Sequence, residues 1–257
     1  MTSIFDQMRG TGKVAVVSGG TGWLGSAISE ALAEAGFEVF TLSRGKSGNF
    51  LPIHPNIRSI EVDLSSEQGC KDALVSVDRS VDVLVNNSYS WPQKVHFQDQ
   101  TWEDISSTLQ NGFVSPLVLS RCVMTEMMQR GSGGSIINIS SMYGHVSPDL
   151  RIYGNSGMGN AIEYGASKAA ILQATRYLAV LGGPHKIRVN SISPGPFSRP
   201  GSLDGKEWFK ENLEEKVPLA RIGQPHELKG AVILLATDLG SYITGTDIKV
   251  DGGWTSW

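Results

Sequence analysis

The stretch that most restricts the fold runs from Lys13 to Ala35. Lys13 to Ser18 (KVAVVS) is a short apolar run of the kind that forms a strand buried on both faces of a parallel sheet. It passes directly into Gly19-Gly20-Thr21-Gly22-Trp23-Leu24-Gly25, after which Ile28, Leu32 and Ala35 keep helical spacing. A strand, a glycine turn and a helix in that order build an anion-binding unit. Glycine lets the backbone come close to a pyrophosphate, and the helix N-terminus adds N–H groups and the positive end of its dipole.

The rest of the chain repeats the alternation. Further strands are expected at Phe37–Leu42, Ile57–Val62, Val81–Val85, Ser135–Ile139, Ile187–Ile192 and Thr246–Val250. Helices are expected at 66–77, over a long stretch at 101–130, at 161–182 and at 225–237. This order predicts an α/β chain: a single-domain Rossmann fold, a doubly wound parallel sheet of about seven strands with helices on both faces. The ligand belongs at the carboxyl ends of the strands. With 257 residues, 40% of them hydrophobic, the chain can bury one large core, and residues 1–257 are assigned to one domain. A segment of about 198–217 reads as a mobile, partly helical cover over the site.

Composition excludes several partners. The net charge is −3 and no run is rich in Lys or Arg, which argues against nucleic acid or an anionic membrane. No apolar run reaches the roughly 20 residues of a membrane span. The opening MTSIFDQMRGTGK carries no signal-peptide core, so a cytoplasmic protein is expected. Cys70 and Cys122 form no Cys-x-x-Cys motif and read as two buried thiols. The five histidines show no ligand spacing, and no metal site is expected.

The strand ends carry the chemistry. Ser43-Arg44 follows the second strand, where an acidic residue would hold a ribose 2′-hydroxyl; a serine and a guanidinium suit a 2′-phosphate instead. NADP(H) is therefore expected over NAD(H). Asp63-Leu64 follows the third strand, with Asp63 facing an adenine, capping the helix at 66–77, or both. Ser140 and Ser141 follow the fifth strand, where a hydroxyl can hydrogen-bond a substrate carbonyl. In Glu163-Tyr164-Gly165-Ala166-Ser167-Lys168, tyrosine and lysine are four apart and so share one helix face. A free tyrosine has a pKa of about 10; an ammonium one turn away favours the phenolate and draws that value toward neutrality.

Taken in order, the glycine turn at 19–25, Asp63-Leu64, Asn86-Asn87-Ser88, Asn111, Ser141, Tyr164-x-x-x-Lys168 and Pro194-Gly195 resemble the single-domain branch of the short-chain dehydrogenase/reductase family. The resemblance covers about residues 12–254. It implies Tyr164 as general acid/base and Lys168 as the residue that binds the nicotinamide ribose and lowers the tyrosine pKa. It implies Ser141, with Ser140 as competitor, as the hydroxyl that orients the carbonyl, and Asn111 as support for a proton-relay water. Cofactor contacts are implied for Gly19, Thr21, Gly22, Trp23 and Leu24 at the phosphates. They are implied for Ser43, Arg44, Asp63, Leu64, Asn87 and Ser88 along the adenosine half, and for Tyr164, Lys168, Pro194, Gly195 and Phe197 at the nicotinamide. A homo-dimer or homo-tetramer is implied too, through the long helices and the C-terminal region with Trp254 and Trp257.

Four departures from that pattern stand out. The glycines at 19, 22 and 25 are spaced as in the larger, extended branch, with Trp23 among them. Tyr89 stands where the family carries a glycine. Tyr164 comes twenty-three positions after Ser141, so 142–162 is an insertion; its polar residues Tyr143, His145, Asp149, Arg151, Tyr153, Asn155, Ser156 and Asn160 suit a hydroxylated or anionic substrate, or else a solvated loop packed on a neighbouring subunit. Ser198 and Arg199 replace a threonine that commonly follows Pro-Gly. The glycine spacing, Met142-Tyr143-Gly144 and the segment from Pro148 to Tyr153 also bear a weaker similarity to oxidoreductases of surface-glycan and flagellin modification. The expected function is an NADP(H)-dependent oxidoreductase interconverting a secondary alcohol and a ketone on a polar small molecule such as a sugar derivative. The alternatives are an epimerase or dehydratase that retains its cofactor, and a non-catalytic NADP(H)-sensing regulator.

Overall fold

The computed structural model describes residues 3–45, 54–91 and 94–257. Seven strands form one sheet: β1 (Val14–Ser18), β2 (Glu38–Ser43), β3 (Ile57–Glu61), β4 (Val83–Asn86), β5 (Gly134–Ile139), β6 (Ile187–Pro194) and β7 (Asp247–Val250). Their order is β3-β2-β1-β4-β5-β6-β7, and every neighbouring pair is parallel. The helices are α1 (Ile4–Gln7), α2 (Trp23–Glu34), α3 (Glu67–Val77), α4 (Trp102–Leu109), α5 (Ser115–Arg130), α6 (Ile162–Gly182), α7 (Glu207–Lys216) and α8 (Lys229–Ala236). Strand ends differ from the sequence reading by one or two residues.

Alternation along the strands divides the core. Val14 and Val16 of β1 join Cys70, Leu119, Val123 and Leu178 on the face covered by α3, α5 and α6. Ala15 and Val17 join Ile28, Leu32, Val232 and Leu235 on the face covered by α2 and α8. A strand buried on both faces needs an apolar residue at every position, which is why β1 reads as an unbroken run. The chain leaves β1 for β2 on one side and returns to pair β4 on its other side. This reversal opens a crevice at the carboxyl ends of β1 and β4.

The long helix expected at 101–130 is interrupted. Residues Gln110–Val114 form a π-helical turn between α4 and α5. One extra residue is accommodated there by i→i+5 bonding, a rare feature that often lies at functional sites. Gly112 explains its position: a Cβ on it would meet Ser167 Oγ at 2.6 Å and the Tyr89 ring at 3.2 Å. Ser66, and not Asp63, caps α3, its hydroxyl accepting from the Gly69 amide at 3.0 Å. The Asp63 carboxylate accepts from the amide and hydroxyl of Ser65.

The insertion at 142–162 packs on the chain itself. Met142, Tyr143, Ile152 and Tyr153 form a third apolar cluster with Leu213 of α7 and with Trp254. Asp149 pairs with Lys216 of α7, and Asn212 donates to the Ile152 carbonyl at 3.0 Å. Trp254 is thus buried within its own subunit, whereas Trp257 is exposed. Of the two cysteines, Cys70 is buried and Cys122 half-buried. Among the described residues no helix is long and apolar enough to cross a membrane.

A buried polar chain ties the central strands to the helices beneath the crevice. Asn86 Nδ2 donates to Ser120 Oγ and to Asn138 Oδ1, both at 2.8 Å, and Asn138 Nδ2 donates to Thr175 Oγ1 at 2.9 Å. Replacing Asn138 strands buried partners on both sides, each worth about 1–3 kcal/mol. Asn138→Ala is expected to lose about 2 kcal/mol or more in denaturant unfolding, with the m-value unchanged.

Candidate active site

The glycine turn shapes one end of the crevice. Gly19 adopts φ +64°, a left-handed conformation that suits glycine, and a Cβ there would lie 2.9 Å from the Ser88 backbone. A Cβ on Gly25 would lie 2.0 Å from the Gly19 carbonyl oxygen. Both glycines are therefore dictated by close backbone approach. Asn87 locks the turn, its Nδ2 donating to the carbonyls of Ser18 and Gly19 at 3.2 and 3.0 Å. The Ser18 hydroxyl accepts from the amides of Asn87 and Ser88 at 3.0 and 3.1 Å. Helix α2 starts at this turn with its N-terminus at the crevice, where the helix dipole favours an anion.

A cavity of about 710 Å³ runs from the turn across the strand ends. It is lined by Gly19, Gly22, Trp23 and Leu24, by Ser43 and Arg44, by Asp63 and Leu64, and by Asn87 and Ser88. Asn111, Ser141, Tyr164, Lys168, Pro194, Gly195 and Phe197 line it as well. Of the residues given a catalytic or cofactor role from the sequence, Thr21 alone does not line it; its side chain is buried. Arg44 Nη2 donates to Ser90 Oγ at 2.9 Å, a contact between the loops after β2 and β4.

The two serines after β5 have separate fates. Ser140 Oγ donates to the Lys168 carbonyl at 2.9 Å and is spent on fixing α6 to β5. Ser141 Oγ accepts from the Tyr143 amide at 3.1 Å and hydrogen-bonds the Tyr164 hydroxyl. Lys168 is 5% exposed, and its Nζ donates to the Ile139 carbonyl at 2.9 Å. Asn111 lies in the π turn, where its side chain donates back to the Ser107 carbonyl at 2.8 Å. Three elements, the end of β5, the π turn and α6, thus bring Ser141, Asn111, Tyr164 and Lys168 to one cavity.

Electrostatics here differ from the simple expectation of a lysine-activated phenol. Burial pushes the Tyr164 phenol above its ordinary value, and the hydrogen bond from Ser141 pulls it partway back. Burial draws the Lys168 ammonium down from 10.5 to about 8. Lys168 Nζ stands 5.9 Å from the Tyr164 ring centroid but 5.1 Å from that of Tyr89. The ammonium is anchored on the Ile139 carbonyl, and at the phenol burial outweighs the Ser141 hydrogen bond. Tyr164 is protonated in this state, as a proton donor must be.

Tyr89, a departure noted in the sequence, lines the cavity and packs on Tyr164. Its ring lies 4.9 Å from that of Tyr164, and Trp91 stacks on Tyr164 at 5.0 Å with planes 29° apart. Trp91 was not expected at the site. The available signal was its place just past β4, at the strand end that borders the crevice. Met142, Tyr143, Tyr153, Met158, Phe209 and Leu213 complete the far end of the cavity.

A family model described as enoyl-(acyl carrier protein) reductase matches residues 22–255. A 3-oxoacyl-(acyl-carrier-protein) reductase of Aquifex aeolicus is 31% identical, covering 94% of this chain and 97% of the relative. A 2-dehydro-3-deoxy-D-gluconate 5-dehydrogenase of Dickeya dadantii is 29% identical over 95% of each chain. The crystal structure of a short chain dehydrogenase from Leptospira borgpetersenii with bound NAD+ superposes with a TM-score of 0.88 at 28% identity, covering 99% of this chain and 96% of that one.

Lys168 gives the site a pH signature. Its pKa is lower in the folded chain than in the unfolded one, so between about pH 8 and 10.5 the folded state binds fewer protons and stability rises with pH. Relative to Lys168→Met, the natural chain is expected to gain on the order of 2 kcal/mol in denaturant unfolding between pH 8 and 10. A difference that stays flat across that window would show that the ammonium is not buried as described.

Proposed function

The chain belongs to the short-chain dehydrogenase/reductase family, an oxidoreductase acting on CH–OH and C=O groups with a nicotinamide cofactor, and we propose from that premise that it is an NADP(H)-dependent enzyme interconverting a secondary alcohol and a ketone, with Tyr164 as general acid/base. The observation that carries this reading is the convergence of the Ser141 hydroxyl, the Tyr164 phenol and the buried Lys168 ammonium on one cavity that ends at a glycine turn.

The residues present fit a dinucleotide. The close backbone packing at Gly19 and Gly25 leaves a cradle at the N-terminus of α2 suited to a diphosphate. Arg44, past β2, suits a 2′-phosphate, and no carboxylate follows Ser43 there to repel it. Asp63 and Leu64 would flank the adenine, and Pro194, Gly195 and Phe197 the nicotinamide amide. When bound, the cofactor gives or takes the hydride. Thr21, which does not line the cavity, is left out of this set.

The remaining steps belong to the chain. In reduction, Ser141 hydrogen-bonds the substrate oxygen and steadies the negative charge that builds on it. Tyr164, held protonated by burial, delivers its proton to that oxygen. The Lys168 ammonium stabilises the phenolate left behind, and Asn111 supports reprotonation. In oxidation the same groups work in reverse. We assign the working form to a cytoplasmic homo-oligomer, because Tyr177 and Val180 of α6 are 69% and 80% exposed and a second copy would cover them.

Tyr164→Phe removes the proton donor and leaves the ring. It is expected to lower kcat for ketone reduction by about 10²-fold or more while NADPH affinity, read by nicotinamide fluorescence, is kept. Loss of NADPH binding with kcat preserved would assign Tyr164 a different role.

A further inference from the structure

The geometry points to a substrate class that the polar insertion does not suggest: a compact carbonyl compound built on a flat apolar or aryl frame, in place of a polyhydroxylated or anionic sugar derivative. The inference rests on the oxidoreductase reading above for the identity of the reacting group, and it concerns only the half of the cavity beyond Ser141 and Tyr164.

That half is walled by rings and apolar side chains. On one side Trp91 lies over the Tyr164 ring, and the indole is 60% exposed, so one of its faces remains available. Tyr153, also in the lining, stacks on Phe209 at 5.4 Å with planes 27° apart. Met142 and Leu213, each 6% exposed, belong to the same wall. Such surfaces gain by covering flat hydrocarbon, and stacking adds to simple burial. Among the lining hydroxyls, Ser90 accepts from Arg44 and Ser202 donates to the Arg199 carbonyl, so the ring-built walls favour hydrocarbon over a hydroxyl-rich ligand.

Most polar residues of the insertion are committed elsewhere. The Asp149 carboxylate is held by Arg151 and Lys216, which keep it well below the usual carboxylate range. His145 contacts Asp247 at 2.9 Å and Ser193 at 3.2 Å, tying the insertion to β6 and β7. Ser156 Oγ donates to the Tyr153 carbonyl at 2.6 Å. The Tyr143 hydroxyl is hydrogen-bonded to that of Tyr153. None of Asp149, Arg151, His145 and Ser156 lines the cavity. Arg199 does line it, but it is solvent-exposed, where a charge pair is weak.

Besides Tyr89 Oη and Ser115 Oγ, which also lack a hydrogen-bond partner, one lining polar group belongs to the insertion. Asn160 lines the cavity, and its side-chain carbonyl oxygen is buried without a hydrogen-bond partner. Buried amide oxygens are normally paired, so a ligand that donates one hydrogen bond here fills a need the protein leaves open. The frame is therefore hydrophobic, with one donor besides the reacting oxygen.

Two probes separate the classes: 2-tetralone, a fused aryl ketone, and 5-keto-D-gluconate, a keto sugar acid. Binding to the full chain with NADPH present is measured by thermal shift and tryptophan fluorescence, then turnover of each is measured. The expected result is binding of 2-tetralone about tenfold tighter or better, with that affinity lost by about tenfold in Trp91→Ala. Tighter or equal binding of the keto sugar acid overturns the inference, as does binding of neither probe, or a Trp91→Ala variant that binds 2-tetralone unchanged. Binding of 2-tetralone without its reduction upholds the substrate class and counts instead against the oxidoreductase reading.

Discussion

A buried ammonium governs how the site is built. Lys168 sits almost entirely out of water, and a charge in that position must be hydrogen-bonded to be tolerated. The Ile139 carbonyl, at the end of β5, accepts from it at 2.9 Å, while Ser140 from the next position bonds the lysine's own carbonyl at 2.9 Å. These two contacts fix α6 against the strand end from both directions. Tyr164, one turn earlier on α6, and Ser141, one residue past Ser140, are brought together as a result. The fold supplies the cavity; this pair of contacts sets where the reacting groups stand in it.

Rings then decide the character of the space around them. Tyr89 packs against Tyr164 and over Lys168, and the π turn with Gly112 makes room for it. The same packing that excludes water raises the phenol and lowers the ammonium. It favours a neutral, proton-donating tyrosine and a lysine that titrates near pH 8. On the far side, the insertion and α7 form one unit through the Asp149–Lys216 pair, the Asn212 hydrogen bond and the Tyr153–Phe209 stack. The segment over the site is therefore braced by the insertion.

Much of this was legible in the sequence because it depends on local pattern. The apolar runs announce strands buried on both faces, and the glycines at 19 and 25 announce a backbone approach that a Cβ would block. The residues after each strand line the crevice because parallel sheets put their carboxyl ends together. What escaped depends on distant partners. A sequence showing a helical stretch at 101–130 does not reveal that Ser167 and Tyr89 require a π turn at Gly112. The polar residues of 142–162 read as ligands for a substrate until Lys216, Asp247 and the Tyr153 carbonyl take them up. The lysine one turn from the tyrosine also bonds a carbonyl whose position only the sheet determines.

The measurement that tests the account most directly is a nicotinamide fluorescence titration of the purified chain with NADPH and, separately, with NADH. The account predicts saturable binding of NADPH with a weaker response to NADH, because the glycine turn receives the diphosphate and Arg44 the 2′-phosphate. Tighter binding of NADH would contradict the role given to Arg44. Failure of both to bind would contradict the central claim, that the cavity over Ser141, Tyr164 and Lys168 is a dinucleotide site.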